Sequence, residues 1–264
     1  VLKKNLPLIS FNTDEIANGN NFLQRNGIGP KDKFICIHSR SSSYRNESFT
    51  SVRNSSINNF ELSCNFLISK GFKIIRVGRD EKLPFIVKSK FVFDYAVNEN
   101  QNDFLDFFII SKCTFFLGGD SGLATLAKVF RKPVMIHNIL NLRDIIHYVG
   151  DSEKIILPKK IWSKKNKKFL HFNETLKNNY NQIRDIDIKN KDLELVENSN
   201  QEILDAVKEM FEIVVDKKIL NQDQSNFFKY YEKMYPNPLV KKVKISPEFY
   251  KNNIELFEND VQNL

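Results

Sequence analysis

The first 140 residues alternate short apolar segments with segments of helical spacing, and this alternation limits the fold more than any other feature. The apolar segments predict strands at residues 33–38, 73–77, 91–95, 114–117 and 134–137. The segments between them predict helices at residues 13–27, 57–70, 103–111 and 123–130. Continuous apolar strands that alternate with helices are typical of a parallel sheet covered on both faces. We therefore predict an α/β fold with a Rossmann-like parallel sheet, which binds ligands beyond the carboxyl ends of its strands.

Three helix ends carry local signals. Thr13 and Asn102 are residue types that cap helix N-termini, and each comes just before a predicted helix. Gly71 follows the helix predicted at 57–70, where glycine commonly ends a helix.

The chain changes character after residue 150. Residues 158–168 hold six lysines in eleven positions, which we interpret as a surface loop in preference to an anion-binding lip. Helical spacing returns at residues 201–217, and two further helices are predicted at 223–234 and 247–258. We predict a Rossmann-like ligand-binding domain over residues 1–160 and a basic loop with a helical extension over residues 161–264.

A glycine-rich turn joins the strand at 114–117 directly to the next helix. Its residues are Gly118, Gly119, Asp120, Ser121 and Gly122. The glycines allow a ligand to approach the backbone, and Asp120 or Ser121 can cap the helix. The exposed amides of a helix N-terminus form an anion site, so these five residues are candidate phosphate contacts. The alternative is a capped turn with no ligand.

The strand at 33–38 delivers a basic loop to the same edge of the sheet. Arg40 can make a bidentate contact with a pyrophosphate. Tyr44, Arg45 and Arg53 follow in the same polar loop and are further candidate ligand contacts. His38 is a candidate base or phosphate ligand, and the alternative is a structural, hydrogen-bonded histidine.

A second arginine-bearing turn follows the strand at 73–77. Gly78 would open the loop for a ligand and Arg79 would reach a phosphate, although an ordinary strand-end turn fits the same residues. For a general base the chain offers His38, Glu47 and Asp94 as candidates.

Charge and cysteine content exclude several classes of protein. The formal charge is +8, yet 31 of the 40 basic residues are Lys, and eight of the nine Arg lie in the first 150 residues. This placement favours an anionic ligand at the sheet over nucleic acid, for which we expect no role. The sequence contains no run of 18 apolar residues, which a membrane-spanning helix would need. Three cysteines in apolar stretches, Cys36, Cys64 and Cys113, predict reduced core thiols and a cytoplasmic chain.

Taken together, these residues resemble a family of bacterial glycosyltransferases of surface-polysaccharide synthesis. The resemblance covers nearly the whole chain, through CIHSRSSSYRNESFTSVRNSSINNF, KIIRVG, DFLDFFIISKC, FFLGGDSGLATLAKVFRKPV, IILPKK, HFNET and ISPEFYKNN. FFLGGDSGLATLAKVFRKPV is also similar to the Asp-Ser-Gly turn of lipopolysaccharide heptosyltransferases, and IHSR to the His-x-Arg motif of fucosyltransferases that use GDP-fucose. Ser41 and Ser43 stand where the fucosyltransferase motif has Arg and Asp.

The resemblance implies a GT-B enzyme, in which two Rossmann-like domains face each other across a cleft. It implies that Arg40 binds the donor diphosphate, that residues 119–122 meet its phosphates, and that no metal or other cofactor is needed. Only one Rossmann-like domain is predicted in these 264 residues. We therefore expect an N-terminal acceptor domain either to be missing from this sequence, which the absent initial Met favours, or to be much reduced.

We predict that the chain transfers a sugar from a nucleoside-diphosphate sugar to a hydroxyl of a glycan or lipid-linked acceptor. The alternative is a non-catalytic nucleotide- or sugar-binding module on the same fold. A cytoplasmic location is expected, and peripheral contact with the inner membrane surface stays open.

Overall fold

Seven parallel strands and a separate three-stranded sheet organise the chain. The structure is a computed structural model that describes residues 9–41, 51–79, 81–82, 84–140, 142, 152–177, 188, 190–219, 224–234 and 243–258. The strands are β1 (Phe34–His38), β2 (Lys73–Arg76), β3 (Val92–Asp94), β4 (Phe116–Gly119), β5 (Val134–Ile139), β6 (Lys154–Pro158), β7 (Lys160–Ser163), β8 (Lys168–Phe169), β9 (Leu193–Val196) and β10 (Lys244–Ile245). The main sheet has the order β10-β6-β5-β4-β1-β2-β3, and every pair in it is parallel.

Helices cover both faces of the main sheet. They are α1 (Thr13–Arg25), α2 (Glu61–Ser69), α3 (Asp103–Lys112), α4 (Gly122–Val129), α5 (Phe172–Lys177), α6 (Asn200–Val214), α7 (Ser225–Met234), α8 (Pro247–Asn252) and α9 (Ile254–Glu258). Helix α2 connects β1 to β2 and α4 connects β4 to β5, in opposite directions along the sheet. Right-handed crossovers therefore place α2 and α4 on opposite faces. Helix α6 packs with α2, whereas α1 and α3 form the layer that contains α4.

The predicted α/β class with a Rossmann-like sheet is confirmed. The strands from β3 to β6 follow the doubly wound order 3-2-1-4-5-6, which reverses direction between β1 and β4. Strands β1, β4, β5 and β6 are buried along their whole length, as is typical of a parallel sheet covered on both faces. Strand β6 was not among the predicted strands.

Two predicted boundaries were wrong by a few residues. The strand predicted at 114–117 lies at Phe116–Gly119, because it pairs with both of its neighbours up to its two glycines. The cap of α1 is Asn12 and not Thr13, since Asn12 and Glu15 satisfy each other's backbone amides in a capping box. The predicted cap at Asn102 is confirmed by its bond from the Leu105 amide, and Gly71 has the positive φ of 83° expected after a helix.

Helices α1 and α3 meet at close range through Gly19. A methyl group at Gly19 would lie 2.3 Å from the ring of Phe108, so only glycine fits without displacing α3. Helix α3 begins at the carboxyl edge of the sheet, and the contact at Gly19 therefore helps to position that edge.

The lysine-rich segment at 158–168 is partly the predicted surface loop, because residues 164–167 form an exposed turn, and strands lie on either side of this turn. A single residue, Lys159, separates β6 from β7, and β7 pairs antiparallel with both β8 and β9. The strands of this small sheet are only two to four residues long and lie among lysines, which hid them in the sequence. Strand β10 lies in the predicted C-terminal extension yet pairs with β6, and the domain boundary at residue 160 stays a prediction.

Across the described ranges, no helix combines the length and the apolar character that crossing a membrane would require. Cys36, Cys64 and Cys113 are buried free thiols, as the sequence predicts.

Candidate functional site

A cleft of about 260 Å³ lies at the carboxyl edge of the main sheet, where the strand order reverses between β1 and β4. His38 at the end of β1 is paired with Gly118, and Gly119 is paired with His137 of β5. The residues that line the cleft are His38, Arg40, Ser41, Gly78, Arg79, Glu81, Asp103, Asp106, Ser121, Gly122 and Leu123. Open α/β sheets bind their ligands at this position.

The N-terminus of α4 lines one side of the cleft, and together with Arg40, which also lines the cleft, we call it the amide wall. Ser121 is the cap of α4, and its Oγ accepts the Ala124 amide at 3.3 Å. Gly122 is exposed, and a methyl group added there would meet no atom within 4 Å. The first amides of α4 therefore have open space in front of them, as an anion site requires.

The glycines before this helix occupy a different place from the one predicted. Gly118 and Gly119 lie inside β4 and are buried, so they are not part of an exposed turn. A methyl group at Gly118 would lie 2.6 Å from the Phe116 ring and 3.1 Å from the His38 carbonyl oxygen. Close packing of β4 explains Gly118, and of the five residues predicted at this turn only Ser121 and Gly122 line the cleft.

The segment after β1 brings Arg40 to the amide wall. Arg40 is half-buried, and its carbonyl accepts the Ser55 amide at 3.0 Å, which closes the basic loop back onto β1. At the return of this loop, Arg53 lies 3.7 Å from Asp120, one residue before the cap of α4. Tyr44, Arg45 and Glu47 lie outside the described residues.

His38 forms part of the cleft floor and is held in one orientation. Its Nδ1 lies 3.1 Å from the Val77 carbonyl oxygen, so Nδ1 carries the proton and Nε2 is an acceptor. Burial lowers the pKa of His38 to about 4, and the nearby Arg76 and Arg40 charges act in the same direction. The imidazole is therefore neutral at pH 7 and is a weak base.

A buried network that the sequence did not reveal supports this floor. The Asn138 Nδ2 donates to His137 Nδ1 at 2.8 Å, and Ser39 Oγ lies 3.5 Å from His137 Nε2. Asn138 and Asn198 each accept the other's backbone amide at 2.7 Å. Burial lowers the pKa of His137 to about 3, so this histidine is a neutral hydrogen-bonding group beneath the cleft.

Lys159 fixes the end of the basic loop from below. Its Nζ donates to the carbonyl oxygens of Val52 and Asn54 at 3.0 and 2.9 Å. Burial lowers the pKa of Lys159 to about 8. The loop that carries Arg53 is thus held to the end of β6.

The other side of the cleft, which we call the acidic wall, consists of Arg79, Glu81, Asp103 and Asp106. The Arg79 Nη2 lies 2.6 Å from both Asp103 Oδ1 and Asp106 Oδ2 at the start of α3. Burial raises the pKa of Asp106 against the opposing effect of Arg79, and the Asp103 bond raises the pKa of Arg79. Arg79, predicted to reach a phosphate, is therefore already neutralised by this wall.

Gly78 gives the turn before Arg79 its shape. Its φ is 153°, a conformation that residues with a side chain rarely adopt. The Gln101 amide holds this turn by donating to the carbonyl oxygens of Gly78 and Tyr95. The predicted opening at Gly78 is thus a backbone feature of the cleft.

Asp94 has a structural position. It pairs with Arg76 at 3.4 Å and accepts the Phe85 amide at 2.7 Å. Arg76 also pairs with the buried Glu81 at 3.0 Å. Asp94 does not line the cleft, and these bonds leave it poorly suited to the base role predicted for it.

The sequence prediction missed the acidic wall. Asp103 and Asp106 are three residues apart in the first turn of α3, a spacing that places both on one face of the helix. Because α3 follows β3, this face must lie at the carboxyl edge of the sheet. The spacing of the two aspartates and the order of these elements could therefore have predicted the acidic wall. With the acidic wall included, the cleft has three carboxylates against two arginines.

These walls differ in what they can bind. The amide wall offers N–H donors and Arg40 to an anion, whereas the acidic wall offers paired carboxylates, which accept hydrogen bonds from hydroxyls. Among the residues that the structure describes, no three His, Cys, Asp or Glu side chains are grouped to hold a metal ion.

Comparisons with known proteins find partial structural likeness. No family model matches the chain, and no curated protein matches its sequence. A glycosyl transferase of family 9 from Veillonella parvula matches with a TM-score of 0.39 and 13% identity, over 48% of this chain and 36% of that chain. The iron-containing heptosyltransferase TibC of enterotoxigenic E. coli, in complex with ADP-D-beta-D-heptose, matches with a TM-score of 0.30 and 19% identity, over 43% of this chain and 29% of that chain.

A third structure, the beta Kdo 2,4 transferase KpsC of Thermosulfurimonas dismutans, matches with a TM-score of 0.29 and 10% identity, over 50% of this chain and 47% of that chain. The match spans less than half of each of these chains. The structures that match in part are glycosyltransferases, the class of enzyme that the sequence also resembles. The proposals below rest on the residues of the cleft.

Proposed function

We propose that this chain is the nucleotide-sugar-binding part of a glycosyltransferase, which moves a sugar from a nucleoside diphosphate to a hydroxyl of a glycan or lipid-linked acceptor. The observation that carries the proposal is the cleft at the β1–β4 reversal, which both Arg40 and the open N-terminus of α4 line. The sequence resemblance to glycosyltransferases at the same residues supports it.

The amide wall is suited to the leaving group of such a transfer. Negative charge develops on the diphosphate as the glycosidic bond breaks, and fixed donors stabilise that charge without reorganising. The Gly122 and Leu123 amides and the Arg40 guanidinium would supply these donors. Ser121 holds the first turn of α4 in place, so the amides keep their direction before the ligand binds.

The acidic wall would bind the neutral part of the donor. Its carboxylates accept hydrogen bonds from sugar hydroxyls, and the Arg79 charge offsets their repulsion of the nearby phosphates. The Nε2 of His38 would accept a hydrogen bond from a hydroxyl, because the ring is neutral and is a weak base. We place the general base on a part of the enzyme other than these cleft residues.

The second candidate function is a non-catalytic module that binds a nucleotide sugar. It is favoured by one observation, which is that His38 and Asp94 are poorly suited to act as the base. Turnover separates the two candidates. Binding of a nucleotide sugar without transfer or hydrolysis by the full-length protein supports the module.

The diphosphate site is tested by thermal denaturation with UDP, GDP, ADP or CMP. At a ligand concentration of 100 times Kd, one nucleotide should stabilise the fold by about 2.7 kcal/mol. Arg40→Ala should weaken that nucleotide by about 10- to 100-fold, because a charge-assisted bond is lost. Arg25→Ala, an exposed arginine at the end of α1, is the matched control. Stabilisation by none of the four nucleotides, or equal loss in both variants, contradicts the proposal.

We also propose that the transfer needs no metal and takes place in the cytoplasm. Activity that survives EDTA supports the first point, and activity restored only by a divalent cation contradicts it.

A further inference from the structure

The hairpin of β7 and β8 concentrates positive charge at its tip. Lys164, Lys165, Lys167 and Lys168 are all exposed and lie within five consecutive residues. Glu194 of β9 lies 3.9 Å from the Lys164 Nζ, and both side chains are nearly 60% exposed. An ion pair this exposed neutralises little charge, so the tip stays strongly basic.

The other two lysines of the segment have structural roles. Lys159 is buried beneath the basic loop, and Lys160 pairs with Glu202 of α6 at 2.7 Å. The lysines at the base of the hairpin therefore make structural contacts, whereas those at the tip are exposed to solvent. This separation is not expected if the lysines reflect only a lysine-rich composition.

Aromatic side chains lie next to the basic tip. Trp162 and Phe169 face each other across β7 and β8, with ring centroids 5.1 Å apart. Both are half-buried, and Trp162 is the only tryptophan of the chain. Lysines beside a partly exposed tryptophan are a combination suited to the interface of an anionic bilayer.

The hairpin projects from the same edge of the main sheet as the cleft. Strand β7 starts directly after Lys159, which follows the carboxyl end of β6. Ile161 and Leu193 of the small sheet form a core with Val52 and Leu140, which follow β1 and β5. A surface that contacts the tip would therefore lie on the side of the molecule to which the cleft belongs.

We propose that the β7–β8 hairpin docks this protein onto an anionic lipid bilayer. A planar bilayer presents many anionic headgroups to one compact tip, whereas a nucleic acid of comparable affinity needs basic residues along a path of phosphates. This docking goes beyond the nucleotide-sugar site. Only its consequence, that the cleft edge is brought to a lipid-linked acceptor, rests on the proposed function.

The test measures partition of the full chain onto vesicles of phosphatidylcholine with 30% phosphatidylglycerol, by sedimentation and by Trp162 emission. Binding should require the anionic lipid, weaken with salt and shift the emission. Each lysine near such a surface contributes about five-fold in affinity. Substitution of all four tip lysines by Glu should therefore reduce binding at least about 100-fold.

The matched control replaces four exposed lysines elsewhere, Lys31, Lys82, Lys88 and Lys90, by Glu and should bind within about ten-fold of the wild type. Both variants should keep the wild-type melting temperature and nucleotide affinity, so failure of docking and failure of the cleft proposal remain distinguishable. Three outcomes overturn the docking proposal. They are no binding to anionic vesicles, equal loss in the two variants, and displacement from vesicles by equimolar single-stranded DNA.

Discussion

The two walls of the cleft lie on either side of the same strand-order reversal and treat charge in opposite ways. The amide wall has an open helix N-terminus and Arg40, with space in front of Gly122. On the acidic wall, Arg79 is bound to both Asp103 and Asp106, and Glu81 is paired with Arg76. The amide wall presents backbone N–H donors to an anion, and the charges of the acidic wall are paired with one another.

The two arginines that line the cleft are therefore not equivalent as phosphate contacts. Arg40 and Arg79 both line the cleft, yet Arg79 contributes its charge to its own carboxylates. The predictions below test whether the walls really differ, in order of decreasing expected effect.

The largest expected effect is a loss of stability when the pH is lowered. It arises at His38, on the floor of the cleft between the walls. The pKa of His38 is about 4 in the folded state, below its ordinary 6.5, so the unfolded chain binds more protons between these values. The free energy of unfolding should therefore fall as the pH falls from 6.5 to 4, by about 3 kcal/mol from His38 alone. Urea denaturation at a series of pH values measures this slope.

His38→Gln should reduce that slope by about half, because His137, whose pKa burial lowers to about 3, contributes a similar amount. An identical slope in the variant and the wild type would show that His38 does not carry the effect.

The second effect concerns the support of each wall. Gly19→Ala forces a methyl group into the Phe108 ring and should cost about 1–3 kcal/mol of stability, because α3 must move. Gly122→Ala meets open space on the amide wall and should change stability by less than about 0.5 kcal/mol. Calorimetry of the two variants compares them, and equal melting temperatures would contradict the packing described for α1 and α3.

The smallest effect tests the charge of the acidic wall. Asp106→Asn removes a mostly buried carboxylate that repels a bound diphosphate and restrains Arg79. Nucleotide affinity should rise about five-fold, which corresponds to about 1 kcal/mol. Asp103→Asn should have less effect, because that side chain is 85% exposed and solvent screens it. Titration calorimetry measures both, and weaker binding in Asp106→Asn would contradict the division between the walls.

The parallel sheet could be predicted from the sequence because its strands are continuous apolar runs. KFICIH, KIIRV and VMIH are each buried on both sides, and each predicted strand lies within two residues of its position in the structure. The small antiparallel sheet could not be predicted in this way. Its strand KIWS is only four residues long, with half-buried Lys160 and Trp162 alternating with buried Ile161 and Ser163. The lysines on either side give this short strand the composition of a loop.

The candidate site was predicted in part. Arg40, Ser121 and Gly122 were found because each follows directly from the end of a strand. The bonds of Arg79 to Asp103 and of Asp94 to Arg76 were not found, since they join residues 18 to 24 positions apart whose proximity depends on side-chain packing. The network of His137, Asn138 and Asn198 depends on a contact across 60 residues and leaves no local pattern.

In the proposed function, a nucleoside diphosphate lies against the amide wall. Backbone ¹H–¹⁵N spectra of the labelled protein, recorded while the nucleotide found by thermal denaturation is added, test this claim residue by residue. The account predicts the largest amide shifts at Ser121, Gly122 and Leu123, and small shifts at Asp103 and Asp106. Saturating nucleotide that moves the α3 amides most, or leaves the amides of the α4 N-terminus unmoved, would contradict it.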